Sequence, residues 1–229
     1  MNKNEFIQRA KSVYQLTEFV DQIKFNNKEW ASAIKLKDIE NDQYLNFILH
    51  PIICPGDTTF LYAGKGLGKT VLAMSIAFAT ALGRALFGPI KSMKSYNTMY
   101  VDGEIGEKGL ASRIAGARRL FKETDNDNVP IWFLSDRLNL YTIEGRQAIE
   151  SEITRIKAQD TDRKGIEFII LDNLTSMIGA NDTAQGWDSF YDWIMTLKAQ
   201  GITILILFHA NDDKKMRGSK MKEINADNV

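Results

Sequence analysis

The chain alternates short apolar runs with longer stretches of helical character, and this alternation limits the folds open to it. Thr98 to Val101, Ile131 to Leu134, Phe168 to Leu171 and Ile202 to Phe208 are near-continuous apolar segments of strand length. Runs without polar alternation suit strands covered on both faces. Thr58 to Ala63 makes a fifth, set between the turn-like Pro55-Gly56-Asp57 and a glycine-rich loop. Between these runs, Lys69 to Leu82, Glu107 to Phe121, Glu144 to Ala158 and Trp187 to Ala199 read as helices. Connections of this length favour right-handed crossovers, so the expected class is α/β, a mainly parallel sheet flanked by helices. The segment from Val71 to Leu82 is apolar around most of its circumference and meets Gly83, a residue suited to a C-cap, so this helix is expected to be central and buried.

Composition removes several classes of function. With 44% hydrophobic residues the chain has ample material for a core, and 29 Lys and Arg balance 29 Asp and Glu. No global field draws the molecule onto nucleic acid or anionic lipid, and any polyanion contact has to be local. The apolar runs fall far short of the roughly 20 residues of a membrane span, and the polar start has no signal-like apolar region, so a cytoplasmic protein is expected. The single cysteine, Cys54, excludes an intrachain disulfide, and with His50 and His209 as the two histidines a metal, if used, is held by oxygen. Residues 1–50 differ from the rest: Phe6, Ala10, Val13, Phe19, Val20 and Ile23 are spaced like one face of a helix, followed by Asn- and Lys-rich sequence. They read as an N-terminal helical extension that either caps the core or grips a neighbouring subunit, with residues 51–229 as the core.

Nine of the 16 glycines lie between Gly56 and Gly109, so backbone is expected to approach a ligand closely near the first strand ends. There stands AGKGLGKT, Ala63 to Thr70, leading straight into the buried helix. This is the phosphate-loop pattern with Ala63 in the place of its first glycine. Gly64, Gly66 and Gly68 allow backbone N–H groups to turn inward around phosphate oxygens. Lys69 supplies a positive charge for the β and γ phosphates, Thr70 offers a hydroxyl to Mg2+, and the helix N-terminus adds partial positive charge. Gly64, Lys65, Gly66, Leu67, Gly68, Lys69, Thr70 and Val71 form the expected phosphate-binding set, with Lys65 pointing to solvent or to a neighbour.

Nucleotide hydrolysis also needs a carboxylate on the metal side and a group that orients water. Asp172 ends the most apolar strand in IEFIILDNL, where it can hold Mg2+ through coordinated water. Asp102 and Glu104 end the second strand in TMYVDGEIG, and Glu104 is positioned to polarise an attacking water. YVDGEIG, FIILDNL, FHANDD and KKMRGSK, in that order after GKGLGKT, resemble the RecA-like ATPase superfamily, especially the RepA-type and DnaB-type hexameric replicative helicases. The resemblance covers roughly residues 51 to 229. It implies a RecA-type core, ATP with Mg2+, and assembly into a ring or filament. By the same resemblance Lys69 and Thr70 bind phosphate and metal, Asp172 is the Walker B acid, Glu104 is the base, and Arg113 flanks the adenine ring. His209, ending ITILILFHA, becomes the sensor of the γ-phosphate.

The run KKMRGSKMK carries Lys214, Lys215, Arg217, Lys220 and Lys222 with no acid among them. One reading comes from the Lys-x-Arg-Gly pattern of KaiC-like and DnaB-like proteins: Lys215 and Arg217 cross a subunit boundary into the neighbour's site. A second gives the run to single-stranded nucleic acid, although no aromatic interleaves with the charges. In RecA-like cores another strand normally begins about where this chain ends, at Val229, so a core truncated at its C-terminus is expected. The first function expected is an ATP-driven DNA helicase subunit, working as a ring-shaped homo-oligomer, a hexamer in such helicases, on single-stranded DNA. The alternative is an ATP-switch regulatory or assembly and recombination ATPase that unwinds nothing. A small-molecule kinase fits poorly, for want of an arginine-bearing lid before Asp172.

Overall fold

In a computed structural model of the chain, the structure describes residues 47–64, 66–123, 129–160, 164–178 and 183–209. The extension read for residues 1–50 lies, up to residue 46, outside them. Five strands, β1 (Thr58–Ala63), β4 (Thr98–Asp102), β5 (Ile131–Ser135), β6 (Phe168–Asp172) and β7 (Thr203–His209), form one sheet in the order β1-β7-β6-β4-β5. Every pairing in it is parallel. The helices are α1 (Lys69–Leu82), α2 (Gly106–Phe121), α3 (Ile143–Gln159), the short α4 (Leu174–Met177) and α5 (Ala184–Ala199). A small antiparallel hairpin, β2 (Ala85–Phe87) and β3 (Ile90–Lys91), follows α1. The α/β class expected from the sequence is the fold observed.

The period-two geometry of strands divides the core into two layers. On one face Tyr100, Phe168, Ile170, Leu205 and Leu207 pack with Ala73, Met74, Ala77 and Phe78 of α1 and with Leu110 and Ala117 of α2. Ile48, Leu49 and Ile53 join this layer. On the other face Met99, Val101, Ile169, Leu171, Ile204 and Ile206 pack with Ile149 and Ile153 of α3 and with Trp187, Phe190 and Ile194 of α5. Burial on both faces explains why β4 and β6 read as unbroken apolar runs: every residue in each is buried.

Capping sets the helix ends. Gly83 ends α1 in the left-handed region at φ 61°, its N–H directed back to the Ala79 and Thr80 carbonyls. Thr142 and Thr183 start α3 and α5, their hydroxyls accepting from the N–H groups of Gly145 and Gly186 at 3.2 and 3.1 Å. The result is a rigid sheet whose carboxyl ends gather β1, β4, β6 and β7 along one rim. No helix among the described residues is long and apolar enough to cross a membrane.

Candidate nucleotide site

β1 delivers the glycine-rich loop to this rim, and α1 carries it away. Gly66 and Gly68 adopt φ of 79° and 85°, and a Cβ added to either meets nothing within 4 Å. Their requirement is therefore conformational: only glycine takes this backbone without strain. Gly68 caps α1 without a side-chain bond, and the first turn holds no acid. The positive end of the helix thus faces the loop with no acid of its own first turn to offset it. Lys69 is buried, and its Nζ donates to the carbonyls of Ala63 at 2.6 Å and Gly64 at 2.9 Å. Burial lowers its pKa, against the opposing pull of Asp172 and Glu104.

Asp172 stands at the carboxyl end of β6 and is 2% exposed. Thr70 Oγ1 donates to its Oδ1 at 3.3 Å, and the Tyr100 hydroxyl donates to its Oδ2. Burial raises the Asp172 pKa; the bonds from Tyr100 and Thr70 and the charge of Arg113 oppose that rise, while Asp102 adds to it. The Tyr100 phenol is itself pushed far up by burial and then by the neighbouring Asp172 carboxylate, so it stays a donor. A hydroxyl and a carboxylate meeting at the loop are hard oxygen donors of the kind that suits Mg2+. Among the described residues no group of three His, Cys, Asp or Glu side chains is arranged to hold a metal ion by itself, so an ion here would complete its shell with water and phosphate oxygens.

Glu104 follows β4. Asp102, just before it, accepts from the backbone N–H groups of Glu104 at 3.4 Å, Ile105 at 3.2 Å and Gly106 at 3.0 Å, and from Ser135 Oγ at 3.0 Å. That clamp fixes the turn between β4 and α2 and with it the origin of the Glu104 side chain. Asn173 Nδ2 donates to Glu104 Oε2 at 2.6 Å and lies 3.2 Å from His209 Nε2, while Glu104 Oε2 and His209 Nε2 are 3.9 Å apart. Four strand ends, those of β1, β4, β6 and β7, thereby bring Lys69, Thr70, Asp172, Glu104 and His209 to one place.

The remaining expected residues fall elsewhere. Leu67 and Val71 are 75% and 63% exposed beside the loop. Arg113 lines a mostly apolar hollow of about 230 Å³ between α1 and α2, with Val71, Met74, Ala117 and Leu120, and its charge reaches Asp172. Lys65, Lys215 and Arg217 lie outside the described residues. Sequence reasoning missed Tyr100 and Asn173. Tyr100 carried one usable signal, a polar-tipped aromatic within an apolar strand; Asn173 carried only its place directly after Asp172.

The family profile of an AAA domain (AAA_25) matches residues 31–215, which is more than half of the chain. The chain belongs to this AAA domain family. Its fold is shared with a KaiC-like protein from the hyperthermophilic archaeon Pyrococcus horikoshii OT3, at 15% identity and a TM-score of 0.52, over 82% of this chain and 74% of that one. No curated protein matches. The AAA domain described here is therefore a RecA-like P-loop ATPase, with its phosphate loop at the end of β1 and its acidic side chains at the ends of β4 and β6.

Proposed function

We propose that this ATPase is a motor subunit of helicase type that works as a ring-shaped oligomer, a hexamer, on single-stranded DNA. Residues 51–229 form its motor core and residues 1–50 an accessory helical extension. The hydrolytic reading is carried by one juxtaposition: Glu104 and His209 share Asn173 beside the Thr70–Asp172 pair. Lys69 leaves the Ala63 and Gly64 carbonyls for the β and γ phosphates of ATP. Glu104 takes a proton from the water that attacks the γ-phosphorus, and the bond from that phosphorus to the bridging oxygen breaks, leaving ADP and inorganic phosphate. Thr70 and Asp172 would hold Mg2+, which supplies neutralising charge to the phosphate oxygens. His209 senses the γ-phosphate, Arg113 lies against the adenine, and the exposed Val71 and Leu120 offer the base an apolar wall.

The helicase part rests on the order of the motifs and on the basic run that begins five residues after His209. Lys215 and Arg217 reach the neighbouring subunit's γ-phosphate, an effect worth about 10^3 to 10^5 in rate for an arginine finger. Turnover is then expected to rise with protein concentration and with added single-stranded DNA. A mixture of Lys69→Ala and Arg217→Ala chains, each inactive alone, recovers part of the activity; no recovery on mixing sinks the shared site. A second reading, an ATP switch for assembly or recombination, is favoured by the absence of aromatics in the basic run, since sequence-tolerant strand binding relies on base stacking. Turnover indifferent to single strands, together with no strand displacement, would select it.

A further inference from the structure

Asn173 is 1% exposed and occupies the step between the two groups that the hydrolytic reading assigns to base and sensor. Its side-chain oxygen starts α4, accepting from Ser176 N at 3.1 Å and Ser176 Oγ at 3.2 Å. A backbone N–H can only donate, so this bond decides which end of the amide is oxygen. Nδ2 must then face the opposite way, where Glu104 Oε2 stands at 2.6 Å and His209 Nε2 at 3.2 Å. An amide nitrogen carries two protons: one meets the Glu104 carboxylate oxygen, and the other meets His209 Nε2 in the neutral tautomer that leaves this nitrogen unprotonated.

The Glu104 side chain is 43% exposed and would otherwise sample several rotamers in water. A short charge-assisted bond from a buried, oriented donor removes that freedom at Oε2 and leaves Oε1 to face a water. His209, at 3.9 Å, is too far from Glu104 to do the same directly. We infer that Asn173 is a positioning residue for hydrolysis: one amide proton aims the Glu104 carboxylate, the other ties it to His209, so that a shift of the imidazole is felt at the base. The inference rests on the reading of Glu104 as base and His209 as sensor, and goes beyond it in assigning the coupling to a third side chain.

Two substitutions separate this role from capping. Asn173→Asp keeps the oxygen that accepts from Ser176 and the side-chain volume, but presents Glu104 with an acceptor in place of a donor. Asn173→Ser also caps a helix but does not reach either partner. In the full chain, both are expected to bind ATP with Mg2+ within about threefold of wild type by calorimetry. Both should lower kcat by about 10- to 100-fold with KM little changed, the size of effect that misplacing a reacting group produces. In a double-mutant cycle, His209→Ala should lower kcat much less in the Asn173→Ser background than in wild type. Glu104→Gln, which removes the base, serves as the control. If Glu104→Gln abolishes turnover while both Asn173 variants stay within twofold of wild type, the positioning role is wrong and the base assignment stands. If the Asn173 and His209 effects simply multiply, the coupling is wrong. Normal turnover in Glu104→Gln overturns the base assignment and this inference with it.

Discussion

Asp102 and Asp172 end adjacent parallel strands in the same register, and each is 2% exposed. Their surroundings differ in the donors supplied. Asp102 receives three backbone N–H groups and the Ser135 hydroxyl, which fills the roughly four lone-pair positions of a carboxylate. Asp172 receives two hydroxyls, from Thr70 and Tyr100. Backbone donors are fixed by the turn they belong to, whereas a hydroxyl can rotate away when a better acceptor or an ion arrives. Position on the sheet therefore does not assign a role; the kind and number of donors does. The saturated carboxylate builds the turn that carries Glu104, and the half-satisfied one keeps capacity for a cation.

The largest separation between the two is expected from amide substitution. Asp172→Asn should lower ATP turnover by about 10- to 100-fold or more, the range seen when groups that support a metal are altered. Its stability without nucleotide and Mg2+ should match or exceed that of the wild type, because a desolvated charge has been removed. The sign follows from linkage. Burial raises the Asp172 pKa above the ordinary 3.8, so its contribution is present below that value and lost as pH rises through the raised one. Urea denaturation as a function of pH should show a smaller loss of stability across that window in the variant. A strongly destabilised Asp172→Asn would mean that the fold depends on this carboxylate no less than on its neighbour.

Asp102→Asn should behave in the opposite way. The amide cannot accept from all four donors and turns a donor of its own toward the backbone, leaving buried N–H groups unpaired. The expected loss is about 1–3 kcal/mol of stability, read as a lower denaturation midpoint with an unchanged slope. Turnover should fall less than in Asp172→Asn, and only through the loosened origin of Glu104. Full stability with lost turnover would place Asp102 in the chemistry and break the contrast.

How much of this was legible in the sequence depends on the reach of each signal. The five sheet strands and four long helices were readable because strands buried on both faces are uniformly apolar, and because Gly83 marks the end of α1. β1 and α1 have the bounds expected, while β7 begins at Thr203, one residue later than read. The hairpin of β2 and β3 and the four-residue α4 were not legible, being too short for any period to develop. Nor was the first turn of α5, where Ala184, Gln185 and Gly186 carry little helical signal apart from the Thr183 cap. At the candidate site, the glycine loop, Glu104 and Asp172 stood out as glycines and carboxylates at the ends of apolar runs, whereas His209 was singled out only by the resemblance its ordered neighbours carry. Tyr100 did not, since its partner is 72 residues away and an aromatic inside an apolar strand reads as core.

Tyr100 supplies the finest test of the contrast, because Tyr100→Phe removes one donor from Asp172 and leaves Asp102 untouched. The ring still fills its place in the layer beneath α1 and α2, so packing is preserved. The expected stability change near neutral pH is about 1 kcal/mol, the smallest of the set. Turnover should fall severalfold and recover at higher Mg2+, since an ion restores what the hydroxyl supplied. The alkaline side gives a sharper signature. Burial and Asp172 raise the Tyr100 phenol above its ordinary 10.0, so the stability it contributes is present below that value and is lost as pH climbs past it. Tyr100→Phe should therefore lose less stability than the wild type between neutral pH and the alkaline limit, in denaturation measured at a series of pH values. Parallel alkaline curves for the two proteins would mean that the phenol is solvated, and the hydroxyl donors that distinguish Asp172 would then be reduced to Thr70 alone.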